Sequence, residues 1–191
     1  DENSLNNFIA RGSISNLEAE ITKNMILKKT NFNFFADKSD ILIKNIYGEA
    51  GPFKIENGDL KAKLSSEILI ESNFKTYLKY NSRSKNYRNF IKDLRFAQSI
   101  NTVEAELNNS FFINFDQTYK IKRYSYKSNG KIIKANLKLN KSLGDFFLNE
   151  KINQLSLIDS EIKTNFNSKK NNINIFGKYF LNNDDPLLFN L

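Results

Sequence analysis

The sequence contains no cysteine and no histidine, and tryptophan is also absent. These absences exclude catalysis by a thiol or an imidazole, disulfide bonds, haem ligation and nearly every structural zinc site. No apolar run reaches the roughly 18 residues of a membrane-spanning helix, and no signal peptide is visible. What is present is 17 phenylalanines in 191 residues, together with many isoleucines, so the chain can form a core and is not expected to be disordered.

The charge balance is the second feature of the composition. Lys and Arg number 29 against 21 Asp and Glu, a formal net charge of +8. Such an excess favours anionic partners, namely nucleic acid, anionic lipid headgroups or acidic glycans. Lys, Asn and Ile are abundant together, as in AT-rich genomes, so compositional drift is an equal explanation of the charge.

Alternation of apolar and polar residues dominates the chain, and residues 68–80, ILIESNFKTYLKY, show it best. Every second residue from Ile68 is mostly apolar, and the residues between are mostly polar. This period predicts a strand with one buried and one exposed face. Thirteen residues would span roughly 40 Å, about twice the usual strand length.

Turn signals divide the remaining alternating segments. We predict turns at DKSD (37–40), GEAGP (48–52) and NSKKNN (167–172). Asn57-Gly58 and Asn129-Gly130 are hairpin signals, so two further turns are predicted there. The spacing of Phe90, Leu94 and Ala97 predicts one amphipathic helix over 87–97. Residues 141–151 carry no clear pattern, and we expect a loop with a helical turn.

Two pairs of segments resemble each other. ISNLEAEI at 14–21 aligns with INTVEAEL at 100–107, and IESNFKTYL at 70–78 aligns with IDSEIKTNF at 158–166. The nearly equal shifts predict repeat units 14–80 and 100–166 joined by the helix at 87–97. Chance similarity between alternating strands is the competing explanation.

The charged constellations do not indicate chemistry. Glu18 with Glu20, and Glu104 with Glu106, are i, i+2 pairs that share a strand face. Glycosidases use paired carboxylates. Here each pair lies on the strand face opposite the apolar residues, which indicates a solvated face near cross-strand lysines. The aspartates lack calcium-loop spacing, and no phosphate-binding glycine loop or nucleophile elbow is present. We therefore predict a protein without enzymatic activity, with no catalytic residue, no metal and no cofactor.

Basic residues with interleaved tyrosines run from Lys75 to Arg95. Such a mixture can track single-stranded nucleic acid or contact an anionic membrane surface. No RNP-type, KH or zinc-knuckle pattern supports nucleic acid, which we do not expect as a partner. A solvated face is the plainer interpretation. The residues expected at an anionic surface are Lys75, Lys79, Arg83, Lys85 and Arg88.

Long strands with one apolar face must have that face covered. A second sheet would give a sandwich, whereas one strongly curved open sheet would enclose a trough. With a single helix in the sequence, the prediction is a mainly-β fold of long antiparallel strands in one strongly curved open sheet. A trough would leave an apolar surface that needs a ligand or partner to fill it.

The stretch GPFKIENGDLKAKLSSEILIESNFKTYLKYNS, with ISNLEAEI and NIFGKYFLNN, resembles the strand pattern of the AsmA-like family of bacterial envelope proteins, which includes TamB and YhdP. The likeness covers most of the chain and lies in rhythm rather than in an invariant motif. It implies a half-open β-trough with an apolar interior that takes part in phospholipid transport between the inner and outer membranes. The family has no catalytic motif.

The resemblance also implies a location and partners. The chain would be one β-rich segment, 1–191, of a longer periplasmic protein anchored to the inner membrane outside this sequence. Its partners would be phospholipid acyl chains, both membranes through other parts of the protein, and neighbouring β-segments of the same protein. The implied groove lining is Phe32, Phe34, Ile41, Ile43, Leu60, Ala62, Leu64, Ile68, Ile70, Phe74, Leu78, Val103, Ala105, Leu107, Ile113, Phe115, Ile133, Leu137, Ile162 and Phe166.

Two alternatives stay open at this point. The same strands could form a structural sandwich or solenoid segment of a surface protein, in which the apolar residues are ordinary core. The basic residues could instead make the chain a module that binds polyanions.

Overall fold

A computed structural model describes residues 8–22, 25–84, 99–143, 152–181 and 186–190. The described strands form one ten-stranded antiparallel sheet in which each strand pairs with its neighbours in sequence. The sheet is open, so the predicted mainly-β open sheet is confirmed. The strands are β1 (Ile9–Thr22), β2 (Met25–Asp37), β3 (Asp40–Ala50), β4 (Phe53–Leu64), β5 (Ile68–Asn81), β6 (Ile100–Phe115), β7 (Ile121–Leu143), β8 (Ile152–Asn167), β9 (Asn171–Leu181) and β10 (Leu187–Asn190).

The long strand that the alternation predicts at 68–80 is confirmed as β5, which has 14 residues. It pairs along its whole length with β6, from Ile68 opposite Phe115 to Asn81 opposite Thr102, without a register shift. Because successive side chains alternate between faces, this uninterrupted register aligns the apolar residues of both strands on one side.

Three predicted turns are confirmed. Residues 38–39 join β2 to β3, Gly51-Pro52 joins β3 to β4, and residues 168–170 join β8 to β9. Asp37 shows why the first turn forms, since its carboxylate accepts hydrogen bonds from the main-chain N–H groups of Ser39 and Asp40, both at 2.8 Å. These hydrogen bonds favour the charged carboxylate and lower the pKa of Asp37, the bond from the Ser39 main-chain N–H contributing most.

The two Asn-Gly hairpin predictions are wrong. Asn57-Gly58 lies inside β4 and Asn129-Gly130 lies inside β7, a strand of 23 residues. Both glycines have ordinary strand φ values, whereas a two-residue hairpin turn would need positive φ there. Gly130 instead allows close strand approach, because a Cβ on it would lie 2.0 Å from the carbonyl oxygen of Glu106.

Bulges interrupt the register where non-glycine residues adopt the left-handed conformation. Asn16 has φ 55° and Lys29 has φ 50°, and the β1–β2 and β2–β3 registers shift beside them. Asp159 (φ 46°) lies at the β8–β9 shift. Each extra residue bends its strand and increases the local twist, and it keeps the apolar residues beyond it on the same face.

Other sequence expectations fall partly outside the described residues. The helix predicted over 87–97 lies entirely outside the described residues. Of 141–151, residues 141–143 belong to β7 and the rest lies outside. The repeat stays a prediction, with a constraint: the segments at 14–21 and 70–78 are on β1 and β5, whereas those at 100–107 and 158–166 are on β6 and β8. One matched pair therefore lies five strands apart, from β1 to β6, and the other lies three strands apart, from β5 to β8.

Candidate functional site

One face of the sheet carries most of the apolar side chains, and we call it the apolar face. The other face also carries some, among them Phe35, Leu42, Leu69 and Phe112. Cross-strand pairs such as Ile43–Leu60, Ile70–Ile113 and Leu78–Ala105 place the predicted lining residues there. Register puts all of them on this face except Ile133. That residue is the extra one between the pairs Ala105–Ile132 and Glu104–Lys134, and Ile132 holds the buried position instead.

The tightest part of the apolar face is a cluster of Ala105, Ile132, Ala135 and Leu157 on β6–β8. Half-buried side chains from β5 to β9 pack around it, among them Leu78. Substantial contacts between described strands join sequence neighbours only. Within the described residues the strands therefore form one layer, and no second layer covers the apolar face.

Sequence reasoning missed several members of this face. Ala50, Tyr80 and Leu157 are buried on it. Extending the i, i+2 count from Ile68 would have found Tyr80. It would have missed Ala50 and Leu157, which lie beyond the left-handed residues Asn45 and Asp159. Sequence reasoning also missed most of the polar side chains that interrupt the face on β5–β8. Five of them lie together, and we call them the polar belt: Thr76, Asn109, Tyr126, Ser128 and Thr164.

The opposite side, the polar face, carries the charges. Lys75, Lys79 and Arg83 are exposed there or at the end of β5, and their contact with an anionic surface stays a prediction. Lys75 lies 3.5 Å from a Glu56 oxygen and 3.9 Å from a Glu106 oxygen. Lys85 and Arg88 lie outside the described residues.

The carboxylate pairs behave as a solvated face. Glu18 pairs with Lys28 across β1 and β2 at 3.8 Å, and Glu106 pairs with Lys75. Glu104 accepts a hydrogen bond from the Tyr77 hydroxyl, and this bond is the main cause of a raised pKa for Tyr77. Glu18, Glu104 and Glu106 are therefore each held by a lysine or a phenol of a neighbouring strand.

A shallow groove of about 640 Å³ crosses the middle of the polar face, from β4 to β8. It lies between two cross-strand rows, one through Asn73, Ser110 and Lys127, the other through Lys75, Asn108 and Asn129. We call it the amide groove. Its outward side chains are Asn57, Asp59, Asn73, Lys75, Asn108, Ser110, Lys127, Asn129, Lys163 and Asn165. Sequence reasoning did not find it, because its members lie on five strands.

Two features are absent from the described residues. No helix there is long and apolar enough to cross a membrane. No group of three or more acidic side chains is placed to hold a metal ion in that part of the chain.

Comparison with known proteins gives no relative. No protein-family model, no curated protein and no solved structure matches this chain. The two faces of the sheet are therefore the features that bear on function.

Proposed function

We propose that the apolar face shields the acyl chains of lipids. The observation that carries the proposal is a ten-stranded sheet whose apolar face has no covering layer among the described residues. An apolar surface of this extent is unfavourable in water and calls for a ligand or partner. The resemblance to AsmA-like envelope proteins supports phospholipid transport between the inner and outer membranes, in the periplasm, as the setting.

The dimensions and energies suit acyl chains. The 14 residues of β5 span about 45 Å, more than the roughly 30 Å hydrocarbon core of a bilayer. Burying one methylene contributes about 0.8 kcal/mol, so half-covering a chain of some 16 carbons contributes about 6 kcal/mol. Acyl chains held mainly by apolar area can slide along the face, which is what a conduit needs.

The test is lipid capture in a diderm bacterium. Native mass spectrometry of the purified chain should show bound phospholipid. Phe74→Asp and Phe34→Asp, which place a charge on the apolar face of β5 and of β2, should each lose it. Lys75→Glu, the neighbour of Phe74 that points to the polar face, should retain it. Circular dichroism checks that every variant keeps its strand signal.

The outcome against the proposal is equally definite. A folded wild-type chain that carries no lipid, or variants Phe74→Asp and Phe34→Asp that carry as much as Lys75→Glu, would rule out acyl-chain shielding on this face.

The amide groove favours a second candidate, the binding of polyanions. Lys127 and Lys163 line the groove and form no ion pair with any described residue, unlike Lys75. Amide side chains beside them offer donors to phosphate, sulfate or carboxylate oxygens. Lys127→Glu with Lys163→Glu should abolish retention on a heparin column at low salt. Unchanged retention, or retention that does not fall with added salt, would exclude this candidate.

A further inference from the structure

The polar belt is unusual because it lies inside the apolar face. Asn109 on β6, Ser128 on β7 and Thr164 on β8 are consecutive cross-strand partners, so they form one row. Thr76 and Tyr126 occupy neighbouring positions on the same face. The belt separates the cluster around Ile132 from the aromatic residues nearer the other end of the strands.

Asn109 is fully engaged within the belt. Its Nδ2 donates to Thr76 Oγ1 at 3.0 Å and to the carbonyl oxygens of Phe74 and Leu107, both at 3.2 Å. Its Oδ1 accepts from the Tyr126 hydroxyl at 2.8 Å. These bonds fix the amide, so Asn109 orders the belt and has little capacity for a further partner.

The two hydroxyls beside it are different. Ser128 Oγ and Thr164 Oγ1 are buried and have no hydrogen-bond partner among the described residues. Ser128 is only 6% exposed. Buried hydroxyls without partners are unfavourable, and native proteins seldom retain them without a ligand, a water or a functional reason.

We propose that Ser128 and Thr164 donate hydrogen bonds to the ester carbonyls of a lipid on the apolar face. This rests on the proposed function and adds a chemical class to it, namely ester-linked lipids rather than any hydrocarbon chain. An ester carbonyl is a neutral acceptor attached to acyl chains. Neutral hydroxyl donors suit it, whereas a phosphate would call for the lysines of the opposite face.

The surroundings of the belt fit such a ligand. The rings of Tyr126 and Phe166 stack on one side, with centroids 6.1 Å apart. Leu107 and Ile162, paired through Gly130, lie on the other side. Acyl chains leaving the belt therefore meet apolar residues. The two hydroxyl oxygens lie below the surface, so neighbouring side chains must change rotamer before a lipid carbonyl can reach them.

The experiment is a competition between two lipids of equal chain length and headgroup. Dipalmitoyl phosphatidylcholine carries ester carbonyls, whereas its dihexadecyl ether analogue carries none. The purified chain is mixed with micelles containing both, and bound lipid is counted by native mass spectrometry. One hydrogen bond corresponds to about fivefold in affinity, so the ester lipid should be preferred by about 5- to 25-fold.

The variants locate the preference. Ser128→Ala combined with Thr164→Val should bind both lipids with a ratio near one. Ser110→Ala, on the polar face of β6, should keep the preference. Equal binding of the two lipids by the wild-type chain would overturn the ester assignment while leaving acyl-chain binding intact. Binding of neither lipid would overturn both, and an unchanged preference in the double variant would overturn the assignment to these hydroxyls.

Discussion

Gly130→Ala tests the close approach of β6 and β7 at Gly130. A Cβ at this position would lie 2.0 Å from the Glu106 carbonyl oxygen and 2.9 Å from Leu107 Cα. Ordinary contact begins at 3.4 Å, so the first distance is short by 1.4 Å (3.4 minus 2.0). Both obstacles are backbone atoms, so β6 and β7 must separate because no side chain can move aside.

The magnitude follows from that separation. Overpacking in a closely packed site costs about 1–3 kcal/mol, and the loss of neighbouring ladder hydrogen bonds adds about 1 kcal/mol each. We expect a loss of about 3 kcal/mol or more in the free energy of unfolding. For a chain of this size the melting temperature should fall by about 6–12 °C.

Gly58→Ala is the matched control, since Gly58 also follows an asparagine inside a strand. A Cβ there would meet Phe74 Cβ at 3.1 Å and Ile46 Cβ at 3.3 Å, so the neighbours need to shift by only a few tenths of an ångström. We expect a cost below about 1 kcal/mol. Thermal unfolding followed by circular dichroism measures both variants. Equal melting temperatures for the two variants would refute the close approach of β6 and β7 at Gly130. They would favour the hairpin turn that the sequence predicts at Asn129-Gly130.

Three further predictions concern the bulges, an ion pair and the sheet edge. Lys29→Val should lower the free energy of unfolding by about 1–2 kcal/mol, because a β-branched residue is strained at φ 50°. Lys28→Val, at the neighbouring position without a positive φ, should not. Urea unfolding compares the two variants, and equal stability would argue against the bulge at Lys29. The hydrogen bond from Lys122, followed by that from Asn114, holds the pKa of Glu67 below its usual 4.5. The stability that these bonds contribute is therefore present above pH 4.5 and is lost as the pH falls through the lowered pKa. Glu67→Gln should flatten the fall in unfolding free energy below pH 4.5, and an unchanged slope would count against the Lys122–Glu67 pair. Ile14→Lys, an inward charge on edge strand β1, should reduce self-association in analytical ultracentrifugation, and a monomeric wild-type chain would contradict this.

Period-2 alternation was enough to predict β5 and the faces of its side chains. It works because one side of the sheet is apolar, so a slip of one residue would expose a whole row. The same reasoning fails at bulges. Counting back from Leu137 assigns Ile133 to the groove, but the register shift next to Ile132 moves the buried position by one residue.

Turn chemistry was the other source of error. Asn129-Gly130 has the composition of a hairpin turn, yet pairing of β7 with full-length β6 and β8 neighbours outweighs that local preference. The length of β6 indicates that β7 must continue past Asn129. The turn after β6 is at Asp116, whose carboxylate accepts hydrogen bonds from the main-chain N–H groups of Thr118 and Lys120. A second turn at Asn129 would have left β6 half-paired.

The polar belt and the amide groove were beyond sequence reasoning for a physical reason. Each combines residues that are far apart in the chain, such as Asn109 and Thr164, and a one-dimensional pattern contains no register. Single polar residues in an alternating strand look like ordinary interruptions. Only the pairing of neighbouring strands shows that they lie side by side.

The most direct measurement is site-specific photo-crosslinking in living diderm bacteria. A photoreactive amino acid replaces Leu78 on the apolar face, or Lys79 next to it on the polar face, and crosslinked phospholipid is detected by mass spectrometry. We predict lipid adducts at position 78 and almost none at 79. Equal labelling at both positions, or adducts at 78 that contain only protein, would contradict a lipid-shielding face.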